Sequence, residues 1–420
     1  MKNLERTMGI VGIVAILLFG HYYLSSDMLF FRLVIGAGLG YTLSRGYTGF
    51  AGSVNRAYRT GSTRLMRTMM MMFFITCLLS AAFLFNVDAS TYDLWVNPIN
   101  WGLLLGGILF GFGMTFSSCC ASGVLTDLVT ALPRGLLTLI FFCLGVFIGF
   151  PIQNSASWIQ KSWVTSETGE KLYGGVYLPD LFKFDGLDGY LGALVLTGVL
   201  CLIVIWMAYR YEARRKQEGT YSGHFGEKIQ DMEVAEATTE APVTAGDWYD
   251  RLFVKAWSLR TAAVVLAILF TLLMGITKAG WGASTPYGLW FGQVLLLFGV
   301  DASSLASFTL MPEGAFTTPF LEHPISVQNL GIVLGTIVFL LTSGTFTKVC
   351  KSELRITGKQ SFFYILGGFL MGFGTRLANG CNVGALFTPI ANFSLSGWVF
   401  LIFLVSGGIL GNMAAKKFDV

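Results

Sequence analysis

Charge is what this chain has least of. Only 12% of its 420 residues are Asp, Glu, Lys or Arg, about half the roughly 25% of a soluble globular chain. Burial in a protein core does not remove that many charges; contact with lipid does. Histidine is scarcer still. His21, His224 and His323 are isolated from one another, which leaves no cluster for a haem or a metal. The seven cysteines lie mostly in apolar stretches without zinc-type pair spacing, so neither a disulfide framework nor a metal centre is implied. The net charge of +4 is modest and sits in loops, which fits membrane topology rather than nucleic-acid binding.

What is present is apolar. Hydrophobic residues make up 54% of the chain and the mean hydropathy is +0.65. Runs of membrane-spanning length recur: Met8–Ser25, Leu29–Leu43, Met66–Phe85, Leu136–Ile152, Gly189–Met207, Leu259–Thr277, Val327–Thr345 and Trp398–Met413. Shorter runs, Trp101–Phe116, Tyr287–Val300 and Phe362–Phe373, end in glycine-rich breaks. No small-residue cleavage site follows the first run, so it reads as an uncleaved transmembrane helix. The expectation is an all-α, multi-pass protein of the plasma or inner membrane, with the lipid bilayer as its first partner.

One long interruption divides the chain. Residues 211–257 are polar and charge-dense, from Tyr211-Glu212-Ala213-Arg214-Arg215-Lys216 through Glu233, Glu236, Glu240 and Asp247. They read as a cytoplasmic linker, partly helical. It separates a first membrane repeat with an additional helix at its end (1–210) from a second (258–420).

The halves are related. Gly106-Gly107-Ile108-Leu109-Phe110-Gly111-Phe112-Gly113 parallels Gly367-Gly368-Phe369-Leu370-Met371-Gly372-Phe373-Gly374, and at the same offset Cys120 falls on Cys381 and Gly123 on Gly384. With one residue of slip, Gly135, Gly145 and Gly149 fall on Gly397, Gly407 and Gly411. Loop charges alternate between the halves. The loop after Leu43 holds Arg45, Arg56, Arg59, Arg64 and Arg67, and its counterpart holds Asp301, Glu313 and Glu322. The next pair reverses: Asp88–Asn100 lacks Lys and Arg, while Lys348, Lys351, Arg355 and Lys359 crowd the counterpart. Opposite bias in matched loops predicts inverted-topology repeats. Counting every apolar run as a crossing leaves the second half one crossing out of phase if both linker ends are cytoplasmic, so at least one of the three short runs is expected to be re-entrant.

The breaks carry the candidate chemistry. Ser117-Ser118-Cys119-Cys120-Ala121-Ser122-Gly123 and Ala378-Asn379-Gly380-Cys381-Asn382-Val383-Gly384 interrupt apolar helices. Backbone freed at membrane depth must face protein or a water-filled cavity, and resuming half-helices aim N–H groups there, which favours an anion. These broken helices are expected to meet near the bilayer midplane. Arg376 ends an apolar run five residues before Cys381, and a charge at that depth marks a functional site by default. Asn379 and Asn382 can donate to an anion; the first half offers serines instead. Cys77, Cys143 and Cys201 read as small apolar fillers, Cys350 as an incidental thiol and Arg45 as a topology determinant.

The pattern Gly-Phe-Gly-x-x-x-x-x-Cys-x-x-Gly over Gly111–Gly123 and Gly372–Gly384 resembles the repeated signature of the YeeE/YedE sulfur-transport family. The segment Gly36–Arg56, with Gly40-Tyr41-Thr42-Leu43-Ser44-Arg45-Gly46-Tyr47-Thr48-Gly49-Phe50-Ala51-Gly52 inside it, looks like a second element. The likeness covers most of both membrane halves, not the linker, and the two-half form is most similar to the YedE-type branch, linked to selenium metabolism. It implies import of a small sulfur or selenium species, with thiosulfate the best-supported family substrate, handed along membrane cysteines by transient hydrogen bonding. Cys120 and Cys381 match the motif cysteines. A third family cysteine would fall at Gly49; Cys119 is adjacent to the motif but at a different spacing. The path residues implied are Cys119, Cys120, Gly123, Arg376, Asn379, Cys381, Asn382 and Gly384, with no metal or cofactor and no catalytic residue. Two other readings stand open: a passive anion channel, which needs no paired cysteines, and a membrane sulfur-transfer protein, which needs a receiving domain. The linker is too short and too polar to be that domain, though it could dock a soluble sulfur carrier.

Overall fold

The computed structural model describes residues 2–49, 52–239 and 247–418. Residues 240–246 of the expected linker, and Phe50 and Ala51 of the early glycine-rich element, lie outside the described residues. The helices that carry the architecture are α1 (Lys2–Tyr23), α2 (Asp27–Arg45), α3 (Gly52–Thr60), α4 (Arg64–Leu84), α5 (Trp101–Ser117), α6 (Gly123–Thr130), α7 (Leu132–Ser155), α8 (Tyr190–Gln217), α9 (Phe225–Thr239), α10 (Leu259–Thr277), α11 (Thr285–Leu297), α12 (Pro324–Ser343), α13 (Gly358–Leu377) and α14 (Leu395–Phe418). Among the described residues there is no strand, only the isolated bridges Asp93–Ala279 and Tyr177–Ser394.

Among the described residues, eight segments are long and apolar enough to cross a membrane: α1, α4, α7, α8, α10, α12, Gly358–Ala391 and α14. Polar caps start the helices where hydropathy alone would not. Asn100 accepts from the Leu103 N–H at 3.0 Å, Ser258 accepts from the Thr261 N–H at 3.1 Å, and Thr357 with Gln360 forms a capping box. Of the three short apolar runs, Phe362–Phe373 lies inside the 20-residue α13 and Trp101–Phe116 fills the 17-residue α5. Tyr287–Val300 forms only the 13-residue α11, about 20 Å long at 1.5 Å per residue, too short to cross. α8 continues to Gln217, so the polar segment begins on an unbroken helix.

Lipid tails are as apolar as the helices, so packing rather than hydrophobic exclusion must hold the bundle, and small residues allow it. A Cβ on Gly106 would lie 2.6 Å from the Gly374 carbonyl oxygen, and one on Gly113 2.6 Å from that of Gly367. α5 and α13 therefore cross antiparallel. Gly111 abuts Leu404 and Gly408 of α14, while Gly372 abuts Phe142 and Val146 of α7. Gly407 meets Ile108, and Gly145 meets Phe369. Positions that correspond in the sequence repeat make corresponding contacts, and each half packs against the other half. α2 and α12 cross parallel by the same means, with Gly36 and Gly40 against Gln328 and Ile332, and Gly331 and Gly335 against Leu33 and Ala37.

The polar segment docks at one end of this bundle. Arg45, 2% exposed, donates to the carbonyls of Arg251 (2.8 Å), Leu252 and Lys255 (2.9 Å) and lies over Trp257. An arginine expected only to set topology thus anchors the returning chain. Glu227 and Gln230 of α9 are buried, and Gln230 donates to the Gly46 carbonyl at 2.8 Å. Ion pairs Arg6–Asp250 (2.9 Å), Arg64–Asp231 (2.6 Å) and Arg67–Glu212 (3.1 Å) gather at the same end. The opposite end is closed by chain between helices, where the Asp93 N–H donates to Lys278 O at 2.8 Å and the Leu178 N–H to Phe393 O at 2.8 Å.

A Cβ on Gly372 would sit 2.2 Å from the Phe142 carbonyl oxygen, whereas one on Gly275 of α10 meets nothing within 4 Å. Gly372→Val is expected to destabilise by at least the roughly 1–3 kcal/mol of overpacking, and Gly275→Ala by less than about 0.5 kcal/mol. Thermal unfolding of the purified protein in detergent checks both.

Candidate functional site

Each break is built the same way. α5 stops at Ser117, Ser118 turns into the left-handed region (φ 57°), and the Val124 N–H donates to the Cys120 carbonyl at 2.8 Å as α6 begins. α13 stops at Leu377, Asn379 takes φ 55°, and the Ala385 N–H donates to the Cys381 carbonyl at 2.6 Å as the chain resumes in a π-helical turn, Asn382–Phe387. Ser118 and Asn379 are matched repeat positions. A non-glycine residue held at positive φ persists only where the surroundings over-determine it, and here the same device ends both helices. In each half the cysteine carbonyl takes the first bond of the resuming segment.

The breaks approach one another. Cys120 and Cys381 lie within electrostatic reach of each other, and Tyr287 of the short helix α11 lies within reach of both. Tyr287 is fully buried, donates its hydroxyl to the Ala121 carbonyl at 2.5 Å and packs its ring edge-on to Phe142. Cys120 Sγ is 3.4 Å from Ser122 Oγ. Cys381 is fully buried. Gly123 carries no side chain beside these thiols: a Cβ there would lie 3.6 Å from Cys120 Sγ. Gly384 has a different role. A Cβ on it would strike the Trp95 ring at 2.3 Å, and one on Gly282 would strike the same ring at 2.5 Å. Trp95, itself at φ 56°, is wedged between the two glycines.

Arg376 is 3% exposed and has only neutral partners. It donates to Ser284 Oγ (3.3 Å), Gln153 Oε1 (3.4 Å) and Thr375 Oγ1 (3.3 Å), and it lies over the Phe150 ring. Among the described residues no carboxylate pairs with it; the ionisable neighbour it feels is Cys381. A buried charge without a counter-ion is costly. Gln153 also donates to Asn379 Oδ1 at 2.6 Å, tying α7 to the second break. Asn382 is fully buried, touches Met114 Sδ at 3.5 Å through Nδ2 and leaves Oδ1 without a partner.

A cavity of about 320 Å³ opens toward the docked polar segment, lined among others by Gly49, Arg56, Arg59, Cys119, Cys120 and His224. The structure thus brings Cys119, Cys120, Gly123 and Gly49 into the lining of one cavity, and Gln153 joins Arg376 to Asn379 in the second break. The sequence reading missed Tyr287, Gln153, Ser284 and Trp95. The lead-in Gly280-Trp281-Gly282-Ala283-Ser284 was a usable signal for the first and third; Trp95 gave none. Of the remaining thiols, Cys77 donates to Ile390 O at 3.0 Å, Cys201 to Met70 O at 3.5 Å and the partly buried Cys350 to Val129 O at 3.2 Å, and Cys143 is buried.

Eight apolar helical segments of membrane-spanning length among the described residues, with two paired helix breaks inside their bundle, define a multi-pass α-helical membrane protein. A family model described as sulphur transport matches residues 45–410, and the chain belongs to that family. It is 34% identical over 160 residues to the probable transporter YedE of Salmonella typhimurium, 38% of each chain. The match therefore spans about two-fifths of that relative's length. Over longer stretches it is similar to two proteins named thiosulfate transporter TsuA: 26% identical over 319 residues in Spirochaeta thermophila, 74% of this chain and 77% of that one, and 22% identical over 383 residues in Escherichia coli, 91% and 93%.

Gly49 has a negative φ, and a Cβ there would meet nothing within 4 Å among the described residues. Gly49→Cys is expected to fold with a stability change below about 0.5 kcal/mol, and to place a third thiol in the cavity of Cys119 and Cys120. Thermal unfolding of the variant, and cross-linking of its introduced thiol to Cys119 or Cys120 by a short bifunctional thiol reagent, check it.

Proposed function

We propose that this protein carries a small sulfur-containing anion of the thiosulfate type across the membrane, along a path on which Cys120 and Cys381 are successive contacts. The observation that carries the reading is Arg376: a buried guanidinium with no carboxylate partner among the described residues, beside a fully buried motif cysteine. It supplies charge for an anion, the unpaired Oδ1 of Asn382 marks a polar spot in the same break, and a thiol offers a weak donor and a soft acceptor suited to sulfur. Selenium-containing anions have the same chemistry and are the second substrate to assay.

The corresponding glycine contacts and the antiparallel α5–α13 crossing support an inverted-repeat arrangement about a point between the breaks. α11 is then the re-entrant segment, which brings the second half into phase. The basic end that holds the polar segment and Lys351 faces the cytoplasm in this reading, and Asp93 and Glu313 face outward. The membrane concerned is the plasma or inner membrane.

Uptake of labelled thiosulfate by cells without another thiosulfate carrier tests the path. Cys120→Ser, Cys381→Ser and Arg376→Gln are each expected to fall below about a tenth of the parent rate, a loss of roughly 1.4 kcal/mol or more, at normal membrane protein levels. Cys77→Ser and Cys201→Ser should stay near the parent. Normal transport by the double Cys120/Cys381 serine variant would make the cysteines packing residues and leave a channel through the broken helices. Orientation is checked by membrane-impermeant thiol labelling of intact cells: cysteine introduced at Glu313 should react and at Lys351 should not.

A further inference from the structure

The cavity beneath Cys119 and Cys120 has chemistry that the transport path does not use. Its volume of about 320 Å³ has room for a small hydrated anion. Arg56 and Arg59 of α3 line it together with His224, which leads into α9. Arg56 Nη1 is 3.3 Å from Glu227 Oε1, and its Nη2 donates to the Tyr47 carbonyl at 2.7 Å. Arg59 donates through Nε to Asn412 Oδ1 at 3.1 Å, and among the described residues no carboxylate pairs with it. The acidic group on the wall, Asp127, is already engaged: Arg134 binds its two oxygens at 3.1 Å each. Burial and the charge of Arg56 hold the His224 pKa below its ordinary value, so the imidazole is neutral near neutral pH. Two guanidinium groups therefore face the cavity; Asp127 on its wall is paired with Arg134, and Glu227, just outside the lining, is paired with Arg56.

Glu227 is itself unusual. It is 5% exposed and belongs to the polar segment rather than to the membrane helices, and its second oxygen accepts from Ser62 Oγ at 2.6 Å. Gln230 and Asp231, on the same helix, fasten α9 to Gly46 and Arg64. The polar segment thus delivers a tethered carboxylate to an arginine of the cavity.

We propose that this cavity is an anion subsite at the linker end of the path, in which Arg56 and Arg59 hold a small sulfur-containing dianion below the thiols of Cys119 and Cys120, and that Glu227 is the internal carboxylate that occupies Arg56 when the solute is not there. This rests on the transport reading and adds to it a place, two cations and a competitor. Removing the competitor strengthens anion attraction; removing either cation weakens it.

Thiol modification of the purified full-length protein in detergent tests the subsite without a transport step. Methanethiosulfonate reagents of opposite charge, sulfonatoethyl and trimethylammonioethyl, are compared, and modification is read by mass spectrometry on the peptide containing Cys119 and Cys120. In each reaction the thiolate sulfur forms a disulfide with the reagent and methanesulfinate leaves. The anionic-to-cationic rate ratio is expected to fall about threefold or more in Arg59→Gln and in Arg56→Gln, and to rise by a similar factor in Glu227→Gln. Sulfate should slow the anionic reagent in the parent and not in Arg59→Gln. Arg59 is exposed and holds little of the fold, so its variant decides the matter if Arg56→Gln does not fold. A ratio that is the same in parent, Arg59→Gln and Glu227→Gln overturns the proposal, as does no modification of either thiol by either reagent. Such a result removes the subsite alone, because uptake is judged by its own assay.

Discussion

Close approach of helix backbones is the constraint on which the rest depends. In lipid, apolar side chains gain little by meeting each other rather than hydrocarbon, so contact must come from fit. Glycine at Gly106, Gly111, Gly113, Gly367, Gly372 and Gly374 lets α5 and α13 come within van der Waals distance of each other and of α14 and α7. These two helices are the ones that break, so the packing that holds the bundle also fixes where the two breaks stand.

The breaks themselves are tolerated because they are enclosed. Non-helical backbone at membrane depth must be satisfied by protein or water, and here the cysteine carbonyls accept the first bonds of the resuming segments while Tyr287 caps the Ala121 carbonyl. The two halves then diverge chemically. At matched positions one half places Thr115 against Gly411, and the other places Arg376 against Gly149. Matched contacts thus frame chemically unequal breaks, with the buried Arg376 beside one and the arginine-lined cavity beside the other. An anion moving between them would meet positive charge at both ends and soft thiols between.

The polar segment is more than a tether. Arg45 gathers three carbonyls of its returning end, and Glu227 bonds Arg56, a residue that lines the cavity next to the membrane helices. Buried carboxylates and arginines of this kind are stable as pairs and costly apart, which is why a segment of such polar composition takes a defined position on the bundle.

Hydropathy, the repeat and the positions of Cys120 and Cys381 were readable from the chain alone, because each depends on residues near in sequence or on comparison of one half with the other. The same holds for Arg376, whose charge stands out against an apolar run. Which short run makes the shortest helix was undecided in the sequence, because helix length depends on caps and breaks that hydropathy does not register; α11 has 13 residues. The partners of Arg376, the seat of Trp95 between Gly282 and Gly384, and the joining of Gly49, Cys120 and His224 in one cavity are contacts between segments tens to hundreds of residues apart. Only tertiary packing decides those, since the energy of each contact exists only once both segments are in place.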